Sequence, residues 1–218
     1  GTAPDIGAIE FSAPSIVFVN DSFINPVIGQ DPDGAGGASI FGYDAYATLQ
    51  DAIDNVAGGG TVFIQPGTYT GNVNAVGKDV YFLPSTAAAQ VVIDGDLNLD
   101  FGDTLDFQIA GNAAGAEYDQ FVVNGTVSIN DSFLKLQDFY NPLEGDQFIL
   151  MRNDGADSID GEFFLEGTLT RLTEGYEFTD FLGVTGQSAY LTYKGGDGND
   201  LAIVVEDSTP QVSLPVNG

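Results

Sequence analysis

Most of the chain alternates apolar and polar residues in short runs, the period-two pattern of strands with one face buried. Val17-Phe18-Val19-Asn20, Thr61-Val62-Phe63-Ile64, Val80-Tyr81-Phe82-Leu83, Val91-Val92-Ile93, Leu97-Asn98-Leu99 and Leu105-Asp106-Phe107-Gln108-Ile109 are such runs. Gly, Asp, Asn or Pro separates them, and Gly, Asn and Asp tolerate the left-handed backbone of tight corners. One stretch changes the period. Tyr46, Leu49, Ile53 and Val56 recur at three- and four-residue spacing, which puts them on one face of a helix. Asp44 is the expected N-cap and Gly58 the expected left-handed residue at the helix end. A strand, Thr61–Ile64, follows at once and closes at Pro66-Gly67. This order predicts a helix that covers the open end of a stack of strands, its Leu49 and Ile53 each contributing roughly 1.5–3 kcal/mol on burial. Later, Leu191-Thr192-Tyr193 and Leu201–Val205 flank Gly195–Asp200 and predict a hairpin. Gly60-Thr61-Val62-Phe63-Ile64 and Gly125-Thr126-Val127-Ser128-Ile129 echo each other, without a clean period between them.

Composition changes the picture in two ways. The 218 residues carry 32 Asp plus Glu against 5 Lys plus Arg, no His and no Cys, for a net charge of −27. Such a surface repels nucleic acid and anionic lipid headgroups, so neither is an expected partner. It suits high salt, divalent cations or solubility outside a cell. Without Cys there are no disulfides or thiolate sites. Without His or Cys, Ser–His and Cys–His catalysis are excluded, and zinc lacks its usual ligands. No run of about 18 apolar residues offers a membrane span. Residues 1–20 lack the basic start and apolar core of a signal peptide, so the chain reads as a mature protein or a piece of a longer one.

Oxygen-rich turns are the candidate metal sites. Asp31 and Asp33 alternate in Gln30-Asp31-Pro32-Asp33-Gly34, a spacing that calcium loops use. Asp197, Asn199 and Asp200 lie in Gly195-Gly196-Asp197-Gly198-Asn199-Asp200, which resembles one copy of the glycine-rich calcium nonapeptide of secreted toxins. Calcium is therefore the one cofactor to test.

Two longer segments resemble known proteins. Tyr46–Ile53, Gly59–Val62 and Gly67–Val73 carry the phrases A-T-L-Q-x-A-I, G-G-T-V and G-T-Y-T-x-N-V. They resemble the N-terminal region of right-handed parallel β-helix proteins, which include pectate-lyase-like folds and large secreted surface proteins of Gram-negative bacteria. From about Leu97, Tyr118-Asp119-Gln120, Gly125-Thr126-Val127, Gly145-Asp146, Gly161-x-Phe163 and the final Gly-Asp-Gly-Asn-Asp look like autotransporter-like passenger regions. Asp5–Phe11 resembles the closing phrase of such a module. The resemblance implies an all-β fold: a right-handed parallel β-helix with one short N-terminal capping helix and C-terminal antiparallel strands. It divides the chain into residues 1–16 (tail of a preceding module or linker), 17–96 (cap and first rungs), 97–207 (further rungs and closing hairpin, or a separate β-sandwich) and 208–218 (linker).

That resemblance also implies an extracellular or cell-surface setting and neighbouring modules of the same chain as partners. The first reading is a non-catalytic structural or adhesive module. A carbohydrate-binding or polysaccharide-cleaving β-helix is the alternative, marked by an exposed aromatic row beside carboxylates, with Tyr69, Tyr81 and Tyr118 as candidates. A calcium-stabilised secretion module is the third. Lyases of this resemblance use calcium with an Arg or Lys base. The cations here, Lys78, Lys135, Arg152, Arg171 and Lys194, lie in no such motif and read as surface or ion-pair residues.

Overall fold

A computed structural model of the protein describes residues 12–23, 26–32, 39–86 and 88–206. The fold is mostly β, with one short α-helix. The strands in chain order are β1 (Ile16–Val19), β2 (Ala45–Tyr46), then helix α1 (Leu49–Asn55), β3 (Thr61–Ile64), β4 (Gly67–Thr70), β5 (Val73–Asn74), β6 (Tyr81–Pro84), β7 (Gln90–Asp94) and β8 (Leu97–Asn98). They continue as β9 (Thr104–Ile109), β10 (Gln120–Val123), β11 (Val127–Ser128), β12 (Phe133–Asp138), β13 (Gln147–Asn153), β14 (Phe163–Leu165), β15 (Arg171–Leu172), β16 (Glu177–Phe178), β17 (Ala189–Gly195) and β18 (Asp200–Val205).

These strands form three sheets, ordered β15-β14-β12-β9-β6-β3-β1-β2, β16-β17-β18-β13-β10-β7-β4 and β11-β8-β5. From β3 to β11 the chain visits the three sheets in rotation, and each strand pairs in parallel with the strand three places later. Pairing turns antiparallel at the C-terminal end, where β18 lies against both β13 and β17, β16 against β17, and β15 against β14. Both large sheets are therefore mixed. All three sheets run uninterrupted across residues 96 and 97, through Tyr81↔Thr104, Val91↔Phe121 and Val73↔Leu97.

The core is the space the sheets enclose, and the period-two pattern fills it. Val17, Val62, Phe82, Leu105 and Leu134 stack from the first sheet, Val91 and Phe121 from the second, and Val73, Leu97 and Val127 from the third, all fully or almost fully buried. Phe107 meets Phe121 edge-on, with ring centroids 5.5 Å apart, a favourable aromatic geometry. Helix α1 covers the β1–β3 end, and the predicted face Tyr46, Leu49, Ile53 and Val56 is buried.

Its boundaries differ from expectation. The N-cap is Thr48, whose hydroxyl accepts from the Asp51 N–H at 3.1 Å. Asp44 lies a turn earlier, and its carboxylate accepts from the Ile40 N–H instead. The left-handed glycine is Gly59 (φ 75°), not Gly58. Thr48 wins because Ala45 and Tyr46 are held as a strand against β1, so the helix cannot start until they are passed. At the other end Phe181 packs on Phe148 and Phe178 and closes the core. Leu182 beside it has a left-handed backbone (φ 48°, ψ 39°), which costs a non-glycine residue roughly 1–2 kcal/mol.

One corner explains why the glycines recur. A Cβ on Gly95 would lie 2.6 Å from the backbone carbonyl of Gly71, and one on Gly125 would lie 2.6 Å from the Gly95 oxygen. Beside them the Asp96 N–H donates to Asn72 Oδ1 (3.0 Å) and the Thr126 N–H to Asp96 Oδ1 (2.8 Å). The real repeat at this corner is Gly71-Asn72-Val73, Gly95-Asp96-Leu97 and Gly125-Thr126-Val127. The echo read between residues 60–64 and 125–129 pairs segments of different sheets, β3 and β11. Gly95→Ala is expected to cost about 2–3 kcal/mol, because backbone rather than a flexible side chain must move. Urea unfolding measures it, and an unchanged midpoint contradicts the stacking.

Candidate functional site

The outer face of the eight-stranded sheet holds a dense polar cluster built around a buried carboxylate and a cation. Register places Asp106 opposite Lys135 and Gln108 opposite Gln137. Asp106 points away from the core yet its side chain is wholly covered. Lys135 Nζ lies 3.2 Å from Asp106 Oδ2 and donates to the Tyr81 hydroxyl at 2.6 Å. The Tyr81 hydroxyl donates to the same Oδ2, and Gln137 Nε2 adds a bond of 2.6 Å. Asp106 Oδ1 is buried without a partner. Lys135 also sits over the Tyr81 ring, 5.2 Å from its centroid.

The electrostatics make this cluster a strut. Burial and the Asp106 bond push the Tyr81 hydroxyl up to about 12, so it stays protonated at neutral pH. The bond to Tyr81 raises Lys135 above its ordinary value, with Asp106 adding to it. A general base needs a value near the working pH, and both candidates are moved away from it. The other described ion pairs join Arg171 to Asp131 (2.5 Å) and Glu162 (3.8 Å), with the guanidinium 4.7 Å from the Phe164 ring centroid. Lys78 donates to the Asp54 carbonyl at 2.7 Å.

Aromatic side chains flank the cluster. Phe18 stacks on Phe63 with centroids 5.4 Å apart, and Phe101 covers Phe133 at 5.3 Å. Phe101 is 57% exposed. Of the three tyrosines named as candidates for a surface row, Tyr69 and Tyr118 are buried in the core and Tyr81 reaches the outer face. Tyr69 donates to the Val19 and Gln65 carbonyls, and Tyr118 accepts from the Ile149 N–H. The most exposed aromatic residues are phenylalanines, Phe101 and Phe139, with Phe18, Tyr43 and Tyr190 less so.

Two further carboxylates were missed by sequence reasoning. Asp103 accepts from the Val80 N–H (2.7 Å) and the Asp100 N–H (3.0 Å), so it ties two successive circuits together. Asp119 does the same for Ala89 and Gln108, both at 2.8 Å. Both are fully buried. Burial pushes each up to about 6, held back by the two N–H donors. Asp100 and Asp79 near Asp103, and Asp106 near Asp119, push in the same direction as burial. The folded chain then binds more protons than the unfolded chain between about pH 4 and 6. Stability rises on acidification through that window and falls as pH climbs through 6, by on the order of 2–3 kcal/mol per group. A higher urea midpoint at pH 5 than at pH 7.5 is expected. A lower one contradicts the assignment.

The turns considered for calcium are only partly brought together. In the hairpin between β17 and β18, Asn199 and Asp200 are buried and Asp197 is exposed. Asp200 Oδ1 accepts from the Asn153 N–H at 2.9 Å, and Asn199 Nδ2 donates to the Asp157 carbonyl at 2.9 Å and to the Asp154 carbonyl at 3.3 Å. Asp31 is half-buried in a distant loop, and Asp33 lies outside the described residues. Among the described residues no group of three or more His, Cys, Asp or Glu side chains is arranged to hold a metal ion. Because Asn199 and Asp200 already serve the backbone, a chelator is expected to leave the melting midpoint in place. A rise of several degrees on adding calcium restores these turns as ligands.

Comparison with family models, curated proteins and solved structures found no match to this chain. No helix among the described residues is long and apolar enough to cross a membrane.

Proposed function

We propose that the chain is a right-handed parallel β-helix serving as a non-catalytic structural or adhesive module of a secreted bacterial surface protein. The observation that carries the reading is the rotation of the chain through three sheets with parallel pairing from circuit to circuit. Parallel crossovers within a sheet are right-handed in nearly all folds. A helix at one end and antiparallel strands at the other are the closures such a stack requires. The extracellular setting and the neighbouring modules rest on the resemblance of residues 46–73 and of the segments after Leu97, with the acidic, cysteine-free composition in agreement. A structural role agrees with the Tyr81–Asp106–Lys135 cluster, whose groups are locked to one another.

A carbohydrate ligand on the outer face is the second reading, favoured by exposed Phe101 beside half-buried Phe133 and Phe164. Incubation with polyuronates separates the two: the structural module neither retains the polymer nor releases soluble sugar, and retention that Phe101→Ala abolishes in a folded protein, or release of soluble sugar, overturns it.

A further inference from the structure

Near the C-terminal end, the eight-stranded sheet is left incomplete beside β12. On one side β12 pairs with β9 along its whole length, Phe133 to Asp138. On the other side β14 pairs with it only at Phe133↔Phe164 and Leu134↔Leu165. The chain then turns through left-handed Gly167 (φ 74°) and returns as β15. Past Leu134, no strand among the described residues lies on that side of β12. The Phe133 and Phe139 N–H groups donate towards β9, to the Asp103 (2.7 Å) and Ile109 (2.9 Å) carbonyls. The Leu134 carbonyl faces the other way and accepts from the Glu166 N–H at 2.9 Å. Strand alternation therefore turns the N–H and C=O of Leu136, and the N–H of Asp138, into the vacant lane.

A cavity of about 340 Å³ lies along this lane, between β12 and the loop of residues 178–183. Leu136 is in register with the buried Phe107, so the cavity occupies the place of the next inward residue of that stack. Leu136, Leu165, Phe178 and Leu182 line it and are only half-buried. Its rim carries three exposed acids, Asp138, Glu166 and Asp180. The cation at the rim, Lys135, is already engaged by Asp106 at 3.2 Å and by Tyr81 at 2.6 Å. The rim is therefore acidic around an apolar floor.

We propose that this lane is a strand-addition site for an extended basic peptide of a partner protein. Its backbone takes up the groups that Leu136 and Asp138 present, as an added strand does at an open sheet edge. One apolar side chain enters the cavity, and flanking Lys or Arg side chains meet Asp138, Glu166 and Asp180. The net charge of −27 steers such a partner in and repels an acidic one, a second copy of this chain included.

The test is fluorescence anisotropy of a labelled, end-capped peptide that alternates lysine with leucine and valine, titrated with the intact chain in about 0.15 M NaCl. Saturable binding is expected. The same peptide N-methylated at its central residues keeps its charge and side chains but cannot pair with a strand edge. It is expected to bind at least about tenfold more weakly. Asp138→Lys/Glu166→Lys, checked for β content by circular dichroism, is expected to weaken the unmodified peptide by about tenfold or more. Equal binding of the N-methylated peptide overturns the proposal, because the affinity then belongs to the acidic surface at large. Undiminished binding to the folded double variant overturns it too, as does equal binding of a peptide with glutamate in place of lysine. No binding at about 1 mM has the same consequence. Should the double variant fail to fold, the N-methylated peptide decides alone.

Discussion

Ile53→Asp is expected to unfold the helix end of the molecule, at a cost of about 4 kcal/mol or more. Ile53 is 1% exposed and lies against the first strands through α1. The substitution forfeits roughly 1.5–3 kcal/mol of apolar burial. It also asks an unpaired carboxylate to enter an apolar site, which is the larger penalty. Gln50 of the same helix bonds the Asn74 N–H and carbonyl, so the edge of β5 opens too. Amide exchange locates the effect. Protection is lost first in β1, β3 and β5 and persists in β13, β17 and β18. An Ile53→Asp protein that melts like the wild type shows that the helix is not a cap.

Lys135→Met is expected to cost about 3–5 kcal/mol, much more than a half-exposed lysine usually does. The methionine keeps most of the aliphatic stem, so packing against Tyr81 survives. What is lost is the only cation beside Asp106, whose side chain is fully covered and whose Oδ1 already lacks a partner. Stranding a buried carboxylate costs far more than the pair itself contributes. The double variant Asp106→Leu/Lys135→Met removes both members and is expected to recover most of the loss. A urea series on the wild type, the single variant and the double variant measures the coupling. If the single variant costs under about 1 kcal/mol, the pair behaves as an exposed salt bridge and the strut description fails.

The local structure was legible in the sequence where alternation was strong. Thr61–Ile64 is a strand with the expected bounds, the helical face from Tyr46 to Val56 is buried, and the hairpin across Gly195–Asp200 forms. The period was not legible, for a physical reason. Val62 pairs with Phe82, Phe82 with Leu105, Leu105 with Leu134 and Leu134 with Leu165, and each interval is longer than the one before. The growth lies mainly at one corner, between the first and second sheets, where residues 65–66, 85–89, 110–119 and 139–146 make the connection. Insertions there leave the inward side chains in register while erasing any fixed repeat. Left-handed corner residues follow the same logic: Asp79 (φ 59°) and Asp131 (φ 66°) occupy turns where Asp tolerates what most side chains do not.

The candidate site was harder to read. Asp106 sits in an alternating run that fixes its face, but Lys135 and Tyr81 are its neighbours only through strand register. Asp103 and Asp119 look like ordinary acidic turn residues, and nothing local distinguishes them from exposed neighbours such as Asp94 or Glu117. What sets them apart is a backbone N–H of the preceding circuit, Val80 for Asp103 and Ala89 for Asp119, which local sequence does not place. The cap residue was misplaced because a two-residue strand, too short to leave a pattern, delays the helix to Thr48.

Circuit-to-circuit register defines the stack, and engineered cysteines read it directly because the chain has none of its own. Val92 and Val122 are in-register neighbours on the outer face of the second sheet, at a separation that suits a disulfide. Val92→Cys/Val122→Cys is expected to close an intramolecular disulfide under mild oxidation, without loss of fold, while Val92→Cys/Gln120→Cys, displaced by one step along the same face, stays reduced. Closure of the displaced pair in preference to the in-register pair would contradict the proposed stack.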